Sequence, residues 1–382
     1  MGGRAAPLVA VVACLAVACA ERFPPGWVYV TRVEPTAATV VWTGAAGGRA
    51  TCRAAGGAPV TASGEARRRG LVTARLESLA AGARYACQVR APDGRLLHRV
   101  DFRTAPATRD GSVLFAVVGD SGHGGRVAKA IARHIRAAHP AFLLHVGDLA
   151  YTHGTVTEVA RRFFPPYRDT LRRVPFYPTP GNHDLFARSI YRDLFAPAAD
   201  GGPAGPYRYH FTWGPAAVVS LSAPEAAAGA PGLAGDFGAG PAWRIVFLHE
   251  PLYTAGWKRV EPGLRAAFGP VVEAAGVDLV LAGHQHFYER SEPSCEFSST
   301  ARVSHVTSGG GSGPQFLDPI RRHANFPFAA SVPHFLRVRV SPDRLEVRAV
   351  GADGRTIDRL RRQRGVDPGC RAQGWPRQQP RS

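Results

Sequence analysis

The sequence predicts two domains of different fold class, an N-terminal all-β sandwich followed by an α/β sandwich. Short β-type runs separated by turn residues fill residues 23–105, and about six such strands in about 80 residues are typical of an antiparallel sandwich. From residue 112 onward, apolar strands alternate with amphipathic helical segments, which indicates an α/β architecture. A chain of 382 residues is long enough for each domain to bury its own core.

Composition excludes several classes of protein. With 45% hydrophobic and 20% charged residues, the chain has the composition of a folded globular protein. Only residues 1–20 approach the ~20 apolar positions needed to cross a bilayer, so we expect no transmembrane segment in the mature chain. The net charge is +18, but residues 111–290 contribute only +3 of it. Because those residues carry the polar motifs described below, we favour a solvated basic surface over a nucleic-acid site and expect no specific nucleic-acid partner.

Residues 1–20 have the pattern of a secretory signal peptide. Arg4 supplies a basic start, residues 8–18 form an apolar run, and small residues at 16–20 form a cleavage site. We therefore expect an exported protein, secreted or periplasmic. An N-terminal core helix is the alternative, which the Pro-Pro pair at 24 and 25 disfavours. A lipid anchor at Cys19 is a minor option.

The four cysteines beyond this segment could form disulfides in an oxidising compartment. We expect Cys52 to pair with Cys87 and Cys295 to pair with Cys370, because each pair then lies within one domain. Buried free thiols are the alternative for each pair.

The N-terminal domain, residues 23–105, is predicted to have Trp42 as its core aromatic. Residues 79–85 resemble the tyrosine corner of fibronectin type III modules, in which a Leu and a turn Gly lead to a Tyr at the start of a late strand. This domain holds no catalytic cluster, and residues 104–111 are predicted to form a linker. The predicted strands cover residues 27–33, 39–42, 51–54, 71–76, 85–91 and 97–104.

The α/β domain, residues 112–350, is predicted to present five polar clusters at one edge of its fold. Each candidate strand runs directly into a cluster, and in open α/β sheets the ligand crevice lies outside the carboxyl ends of the strands. We therefore expect the five clusters to meet there. The clusters are residues 119–122, 147–151, 181–184, 249–251 and 283–286. The remaining residues, 351–382, are predicted to form a basic, irregular C-terminal tail.

The clusters together supply oxygen and nitrogen ligands suited to metal ions. Such donors, with no cysteine among them, suit Fe, Mn or Zn better than a metal that prefers thiolates. Seven of them exceed the needs of one tetrahedral ion, so we infer two ions that share a carboxylate. Two ions about 3.5 to 4 Å apart form a clamp for the hydrolysis of phosphate esters. The candidate ligands are Asp120, Asp148, Tyr151, Asn182, His249, His284 and His286.

Five motifs in this order and spacing resemble the purple acid phosphatases, within the metallophosphoesterase superfamily, over residues 113 to about 350. The N-terminal sandwich is similar to the fibronectin type III-like domain of the larger members. The resemblance implies an acid phosphatase that hydrolyses phosphate monoesters by in-line attack of a metal-bound hydroxide on phosphorus. It implies that His183 hydrogen-bonds the phosphoryl group or protonates the leaving oxygen. It also implies one ion held by Asp120, Asp148, Tyr151 and His286, and a second held by Asp148, Asn182, His249 and His284.

The first motif differs from that of many metallophosphoesterases, which have Asp-x-His where this chain has Asp120-Ser-Gly122. Tyr151 supplies a phenol in place of that imidazole. A free phenol has a pKa of about 10, so binding it as phenolate near neutral pH needs a strong Lewis acid. We therefore expect Fe(III) in the first site and a divalent Fe, Zn or Mn ion in the second.

One departure from the plant members of the family concerns substrate binding. Where those proteins have two adjacent histidines after the fourth motif, this chain has Lys258 and Arg259. Lys258 could still attract phosphate, but neither cation is a ready proton donor at neutral pH. A solvated surface pair is the alternative for these two residues.

The other polar features have mostly structural interpretations. His123 follows the first motif and either touches substrate or belongs to the loop, whereas His134, His139 and His145 are expected to be structural. The Gly-rich run 307–313 is predicted to be a tight-turning loop near the site rather than a phosphate cradle, because no Lys or clear helix follows it.

Two other functions fit the motifs. A phosphodiesterase or nucleotidase would use the same metals, and the turnover of monoesters and diesters would separate these activities. From a different class, the sandwich could act as a binding or adhesion module beside an inactive α/β domain. The complete set of ligand residues disfavours this second alternative, because a decayed site is expected to lose some of them.

Overall fold

The computed structural model describes residues 21–44, 46–196, 205–240, 243–261, 263–297, 303–320, 324–366 and 369. The predicted signal peptide at 1–20, the candidate anchor Cys19 and the tail from 370 onward lie outside the described residues. Across the described ranges, every helix is too short or too polar to cross a membrane.

The N-terminal domain consists of two four-stranded antiparallel sheets, as predicted. The strands are β1 (Val28–Thr31), β2 (Ala38–Thr43), β3 (Arg49–Ala54), β4 (Val60–Ser63), β5 (Glu65–Ala66), β6 (Leu71–Leu76), β7 (Arg84–Arg90) and β8 (Leu96–Arg103). The strand order is β1-β2-β6-β5 in one sheet and β4-β3-β7-β8 in the other. Trp42 is buried between the sheets with Val89 and Phe102, so it is the core aromatic that the sequence predicts.

A disulfide and a tyrosine corner fix the second sheet. Cys52 on β3 lies opposite Cys87 on β7, and the two form a disulfide. Cys295 is also disulfide-bonded, and its predicted partner, Cys370, lies outside the described residues. The backbone N–H of Ala80 donates to the hydroxyl of Tyr85 at 2.8 Å, which is the contact expected of a tyrosine corner.

The second domain contains two larger sheets. Their strands are β9 (Val113–Val118), β10 (Leu143–Val146), β11 (Phe176–Thr179), β12 (Arg208–Trp213), β13 (Ala216–Leu221), β14 (Trp243–Phe247), β15 (Leu279–Ala282), β16 (Tyr288–Arg290), β17 (Ser304–Ser308), β18 (Phe328–Ala330), β19 (His334–Val340), β20 (Arg344–Gly351) and β21 (Thr356–Gln363). One sheet has the order β11-β10-β9-β19-β20-β21 and the other β12-β13-β14-β15-β17-β16-β18. Strands β9 to β11 are parallel, as are β13, β14, β15 and β17.

The two sheets pack face to face between layers of helices. Val117 and Phe142 from the first sheet share a core with Ile245 and Leu281 from the second. Helices α1, α3 and α5 cover the outer face of the first sheet, and α6, α7 and α8 cover that of the second. The helices are α1 (Gly125–Ala137), α2 (Val156–Glu158), α3 (Phe164–Leu171), α4 (Asn182–Phe186), α5 (Arg188–Phe195), α6 (Ala223–Ala227), α7 (Leu233–Asp236) and α8 (Leu264–Ala274). The predicted α/β sandwich is thereby confirmed.

The boundary predicted at residue 350 is too early. Strand β21 pairs antiparallel with β20, so the sheet continues to Gln363 where an irregular tail is predicted. Ile357 and Leu360 on β21 pack against the shared core, and the mostly buried Arg362 donates to Ser304 Oγ at 2.7 Å. Because polar and charged residues occupy the other six positions, the apolar pattern of this strand is weak in the sequence. Arg stems nevertheless cover apolar surface well.

The sandwich packs directly on the α/β domain along β11. Thr31 Oγ1 donates to the carbonyl of Phe176 at 2.8 Å, and the backbone N–H of Val33 donates to the hydroxyl of Tyr177 at 2.8 Å. Arg69 and Asp193 form a largely buried ion pair at 3.0 Å across the same junction. Because β11 leads into the polar cluster at 181–184, the sandwich supports the strand that presents this cluster.

Candidate metal centre

The five predicted clusters meet at the carboxyl ends of β9, β10, β11, β14 and β15. Asp120 and Asp148 each follow a strand and a glycine, and each has a φ of 57°. His284 follows β15 in the same way, with a φ of 69°. A left-handed backbone is uncommon for residues other than Gly, and such strain collects at functional sites. The three turns therefore hold a strained backbone conformation that directs their side chains toward one place.

Glycines beside these residues allow the loops to approach each other. A Cβ atom on Gly181 would lie 2.0 Å from Asp148 Oδ1, and one on Gly283 would lie 2.5 Å from Asp120 Oδ2. Any larger residue at either position would therefore push an aspartate out of the site.

Three side chains form the first donor group. The hydroxyl of Tyr151 lies 3.1 Å from Asp120 Oδ1 and 2.9 Å from His286 Nε2. His286 Nε2 lies 3.3 Å from Asp120 Oδ1. These are three of the four donors that the sequence assigns to the first ion.

Three more side chains form the second donor group. Asn182 Oδ1 lies 3.0 Å from His249 Nε2 and 3.1 Å from His284 Nδ1, and the two imidazole nitrogens are 3.3 Å apart. Asp148 Oδ2 lies 3.5 Å from His249 Nε2. One ligand atom from each of Asp120, Asp148 and His249 lies within 4.8 Å of the others, so Asp148 is close to both groups.

Each imidazole turns one nitrogen to a backbone carbonyl and the other to the cluster. His249 Nδ1 lies 2.7 Å from the carbonyl oxygen of Val146, and His286 Nδ1 lies 2.6 Å from that of Phe316. His284 Nε2 lies 2.5 Å from the carbonyl oxygen of Arg259. A carbonyl oxygen only accepts, so each of these nitrogens carries the proton and the nitrogen that faces the cluster has a free lone pair. This is the arrangement expected of metal-ligating histidines.

Charges within the centre alter the titration of its acids. Burial alone would raise the pKa of Asp120, but when the imidazoles are protonated, the hydrogen bond that His286 then donates and the charges of His249 and Lys258 hold this pKa below its usual range. Burial, together with the carboxylates of Asp120 and Asp148, raises the pKa of the Tyr151 hydroxyl well above 10. A cation of high charge between these oxygens would reverse that preference, and the chemistry of the whole donor set fits a pair of metal ions.

Asp184 supports the ligand loops although the sequence analysis gives it no role. Its carboxylate accepts the backbone N–H groups of Asp148 at 2.8 Å, Leu149 at 3.1 Å and Gly181 at 2.9 Å. The side chain is buried. An acidic residue two positions after a candidate ligand and at the start of a helix is the signal that could have identified it.

His183 lies beside the centre and is half-buried. Its backbone N–H donates to Asp148 Oδ1 at 3.1 Å, and its Nδ1 lies 2.6 Å from the carbonyl oxygen of Thr152. Its ring lies edge-on to that of Tyr151, with centroids 4.8 Å apart. Glu158 fixes the loop that carries Thr152, since its carboxylate accepts the backbone N–H groups of Thr152 and His153 at 2.5 and 3.0 Å.

Lys258 is tied into the rim of the centre. Its ammonium donates to the carbonyl of His284 at 3.0 Å and lies 3.0 Å from Asp318 Oδ2, which also accepts the backbone N–H of His286 at 2.7 Å. Gln285 Nε2 donates to the carbonyl of Lys258 at 3.0 Å. This loop is therefore held against the last motif, and Lys258 is not the solvated surface residue of the alternative interpretation.

The remaining predicted features surround the centre. The Gly-rich run 307–313 begins at the end of β17 and continues as a loop over residues 309–313, where Ser312 Oγ donates to the carbonyl of Asp120 at 2.6 Å behind the first motif. His145 is buried and lies 2.8 Å from Ser121 Oγ, which is a structural role. His123 stacks on Phe316 with ring centroids 3.5 Å apart.

Residues 113–288 match the calcineurin-like phosphoesterase family. With the fold and the donor cluster, this match defines the class of domain: residues 113–288 are similar to the metallophosphoesterases. Its fold is similar to that of the purple acid phosphatase PPD1 from yellow lupin (Lupinus luteus) seeds, with a TM-score of 0.74 and 16% identity over 89% of this chain and 74% of that one. The predicted family resemblance and fold class are confirmed.

Two further relatives are similar to this chain. The structure of PhoD has a TM-score of 0.64 and 12% identity, and the match covers 90% of each chain. A phosphoenolpyruvate phosphatase of Allium cepa is 26% identical over 232 residues, which are 54% of this chain and 47% of that protein. The chain thus spans about half the length of this relative.

Proposed function

We propose that this chain is an exported acid phosphatase that hydrolyses phosphate monoesters at a pair of metal ions. The observation that carries the proposal is the convergence of two groups of three donors each, with Asp148 as a seventh donor close to both. The similarity to a purple acid phosphatase in fold, and to a phosphoenolpyruvate phosphatase in sequence, supports a monoester substrate.

The two donor groups differ in charge, which favours different ions. Asp120, Asp148 and the phenol of Tyr151 surround the first position, and this negative charge favours Fe(III). The second position has the shared carboxylate, an amide and two imidazoles that are neutral as ligands, a set that suits divalent Fe, Zn or Mn. When bound, the two ions would supply Lewis acidity to the phosphoryl oxygens and lower the pKa of a water molecule.

His183 is the residue to which we assign proton transfer. The carbonyl of Thr152 fixes its Nδ1 as a donor and orients the ring beside the first group. In this position Nε2 of the protonated imidazole would donate to a phosphoryl oxygen or transfer its proton to the leaving oxygen, which leaves His183 neutral. Lys258 lies at the rim, where its Nζ is 3.0 Å from the carbonyl oxygen of the candidate ligand His284. Its positive charge would attract the phosphate dianion.

Metal analysis combined with substrate comparison tests this function. We expect two ions per purified chain, and a higher kcat/KM for phenyl phosphate than for bis(4-nitrophenyl) phosphate. Asp148→Asn should abolish both the paired ions and turnover, whereas Asp236→Asn, which weakens a partly buried ion pair with Arg208 outside the donor cluster, should change neither. A preference for the diester would favour the phosphodiesterase alternative. A folded protein that binds no metal and releases no phosphate would favour the adhesion alternative.

Export is supported by the disulfide between Cys52 and Cys87, since such bonds persist in oxidising compartments. Expression of the full chain should place it in the periplasm or medium with a new N-terminus near residue 20, and deletion of residues 1–20 should retain it in the cytoplasm. Cytoplasmic retention of the full chain would contradict the proposal.

A further inference from the structure

A continuous series of aromatic and imidazole rings borders one side of the metal centre. Successive ring centroids are 3.5, 4.4, 4.8, 5.8 and 5.6 Å apart, so each ring contacts the next. We call this series the ring belt. In order, it comprises Phe316, His123, Tyr151, His183, Phe186 and His153.

The ring belt runs from the buried centre to open solvent. Tyr151 is 4% exposed, whereas Phe186 is 66% exposed. Both His183 and Phe186 lie on α4, three residues apart, so they share one face of this helix. Helix α4 begins at the candidate ligand Asn182, and it therefore fixes the distance between the exposed ring and the metal centre.

The part of the rim beside His284 is charged. The ammonium of Lys258 and the carboxylate of Asp318 lie there, 3.0 Å apart. If a phosphoryl group lies at the metal centre, its organic substituent must extend from the centre toward solvent. The ring belt offers apolar area and flat faces to that substituent, whereas burying an aromatic group against the charged pair would cost desolvation energy.

We propose that the ring belt is the subsite for the organic group of the substrate, that Phe186 determines specificity there, and that the preferred substrates are phosphate monoesters of phenols. This inference rests on the proposed phosphatase function and names its substrate class. Phe186 would stack on, or meet edge-on, an aromatic ring whose oxygen carries the phosphoryl group.

The first test compares how one substitution affects two substrates. Phe186→Ala should lower kcat/KM for phenyl phosphate about three- to tenfold more than it lowers kcat/KM for glycerol 2-phosphate. Comparing the variant with wild type for each substrate cancels the difference in leaving-group reactivity. Phe186→Trp should retain the preference. Leu96→Ala, which removes an exposed apolar side chain from β8 of the sandwich, is the matched control and should leave both values unchanged.

The second test separates the subsite from catalysis. Calorimetry should show that Phe186→Ala weakens the binding of phenylphosphonate about three- to tenfold more than that of methylphosphonate. Equal effects on both phosphonates, or none, would overturn the subsite. If the wild-type protein binds phenylphosphonate more tightly than methylphosphonate but hydrolyses neither phenyl phosphate nor glycerol 2-phosphate, the proposed function is contradicted and the subsite is still supported.

Discussion

The carboxylate of Asp184 accepts the backbone N–H of Asp148 at 2.8 Å, so an aspartate outside the donor cluster holds the loop of one within it. Asp184 also accepts the N–H of Gly181, which precedes Asn182, at 2.9 Å. One carboxylate therefore sets the distance between the second and third motifs.

Replacing Asp184 by Asn should weaken metal binding without removing a donor. The amide has one acceptor oxygen instead of two, and its NH₂ group would face backbone N–H groups that need an acceptor. We expect the affinity for the ions to fall about 10- to 100-fold. Dialysis against a series of chelator concentrations, followed by elemental analysis, measures this. Asp236→Asn is the control, and equal metal retention in the two variants would contradict the role given to Asp184.

His183→Ala should lower kcat about 10²- to 10⁴-fold while both ions stay bound. The backbone N–H that contacts Asp148 remains in this variant, so the loss is confined to the imidazole. Steady-state kinetics on phenyl phosphate, with metal content measured on the same sample, checks the prediction. Full kcat with full metal content would mean that His183 transfers no proton.

The sequence predicts the place of the donor cluster because the carboxyl ends of neighbouring strands must meet at one edge of a sheet. Asp120, Asp148 and His284 follow strands directly, so their positions depend only on which strands are neighbours. The supporting residues that the sequence does not reveal accept hydrogen bonds from the backbone. Asp184 and Glu158 accept N–H groups from loops, and loop conformation leaves little trace in a single sequence.

The C-terminal boundary of the α/β domain is hard to predict from the sequence for a different reason. Strand β21 has two apolar residues, Ile357 and Leu360, among six polar or charged ones, and the mostly buried Arg362 contacts Ser304, which is 58 residues away in the sequence. A strand at the edge of a sheet needs few apolar residues when its arginine stems cover the core. Partners distant in sequence decide its structure, and local periodicity does not reveal them.

Removal of the disulfide should destabilise the sandwich. Cys52 and Cys87 are separated by 35 residues, and closing a loop of this length stabilises a fold by about 2 to 4 kcal/mol. We expect Cys52→Ala with Cys87→Ala to lower the free energy of unfolding by that amount. Urea unfolding followed by tryptophan fluorescence measures it, since Trp42 lies in the sandwich core. An unchanged midpoint would show that packing against β11 alone maintains this domain.

Glu289 should make stability fall as pH rises. Burial raises the pKa of this carboxyl to about 7, although Ala255 N–H and Thr307 Oγ1 donate to it at 3.0 and 3.2 Å. Between about pH 4.3, where an unfolded Glu titrates, and pH 7, the folded protein binds more protons, so the free energy of unfolding decreases with pH. Glu289→Gln should remove about 2 to 3 kcal/mol of that decrease between pH 4.5 and 8. Urea unfolding at a series of pH values measures this, and an equal decrease in the free energy of unfolding with pH for the two proteins would contradict it.

Tyr151→Phe should remove the colour of the metal-loaded protein. The Tyr151 hydroxyl lies 3.1 Å from Asp120 Oδ1, and burial beside two carboxylates keeps its proton on unless a strongly charged cation displaces it. Phenolate bound to Fe(III) absorbs visible light by charge transfer, so wild type should be coloured and the variant colourless at equal iron content. Tyr207→Phe, which loses a hydroxyl contact with the carbonyl of Arg188, is the control and should keep the band. An unchanged visible spectrum in Tyr151→Phe would exclude the phenolate as a ligand and, with it, the argument for a trivalent ion in the first position.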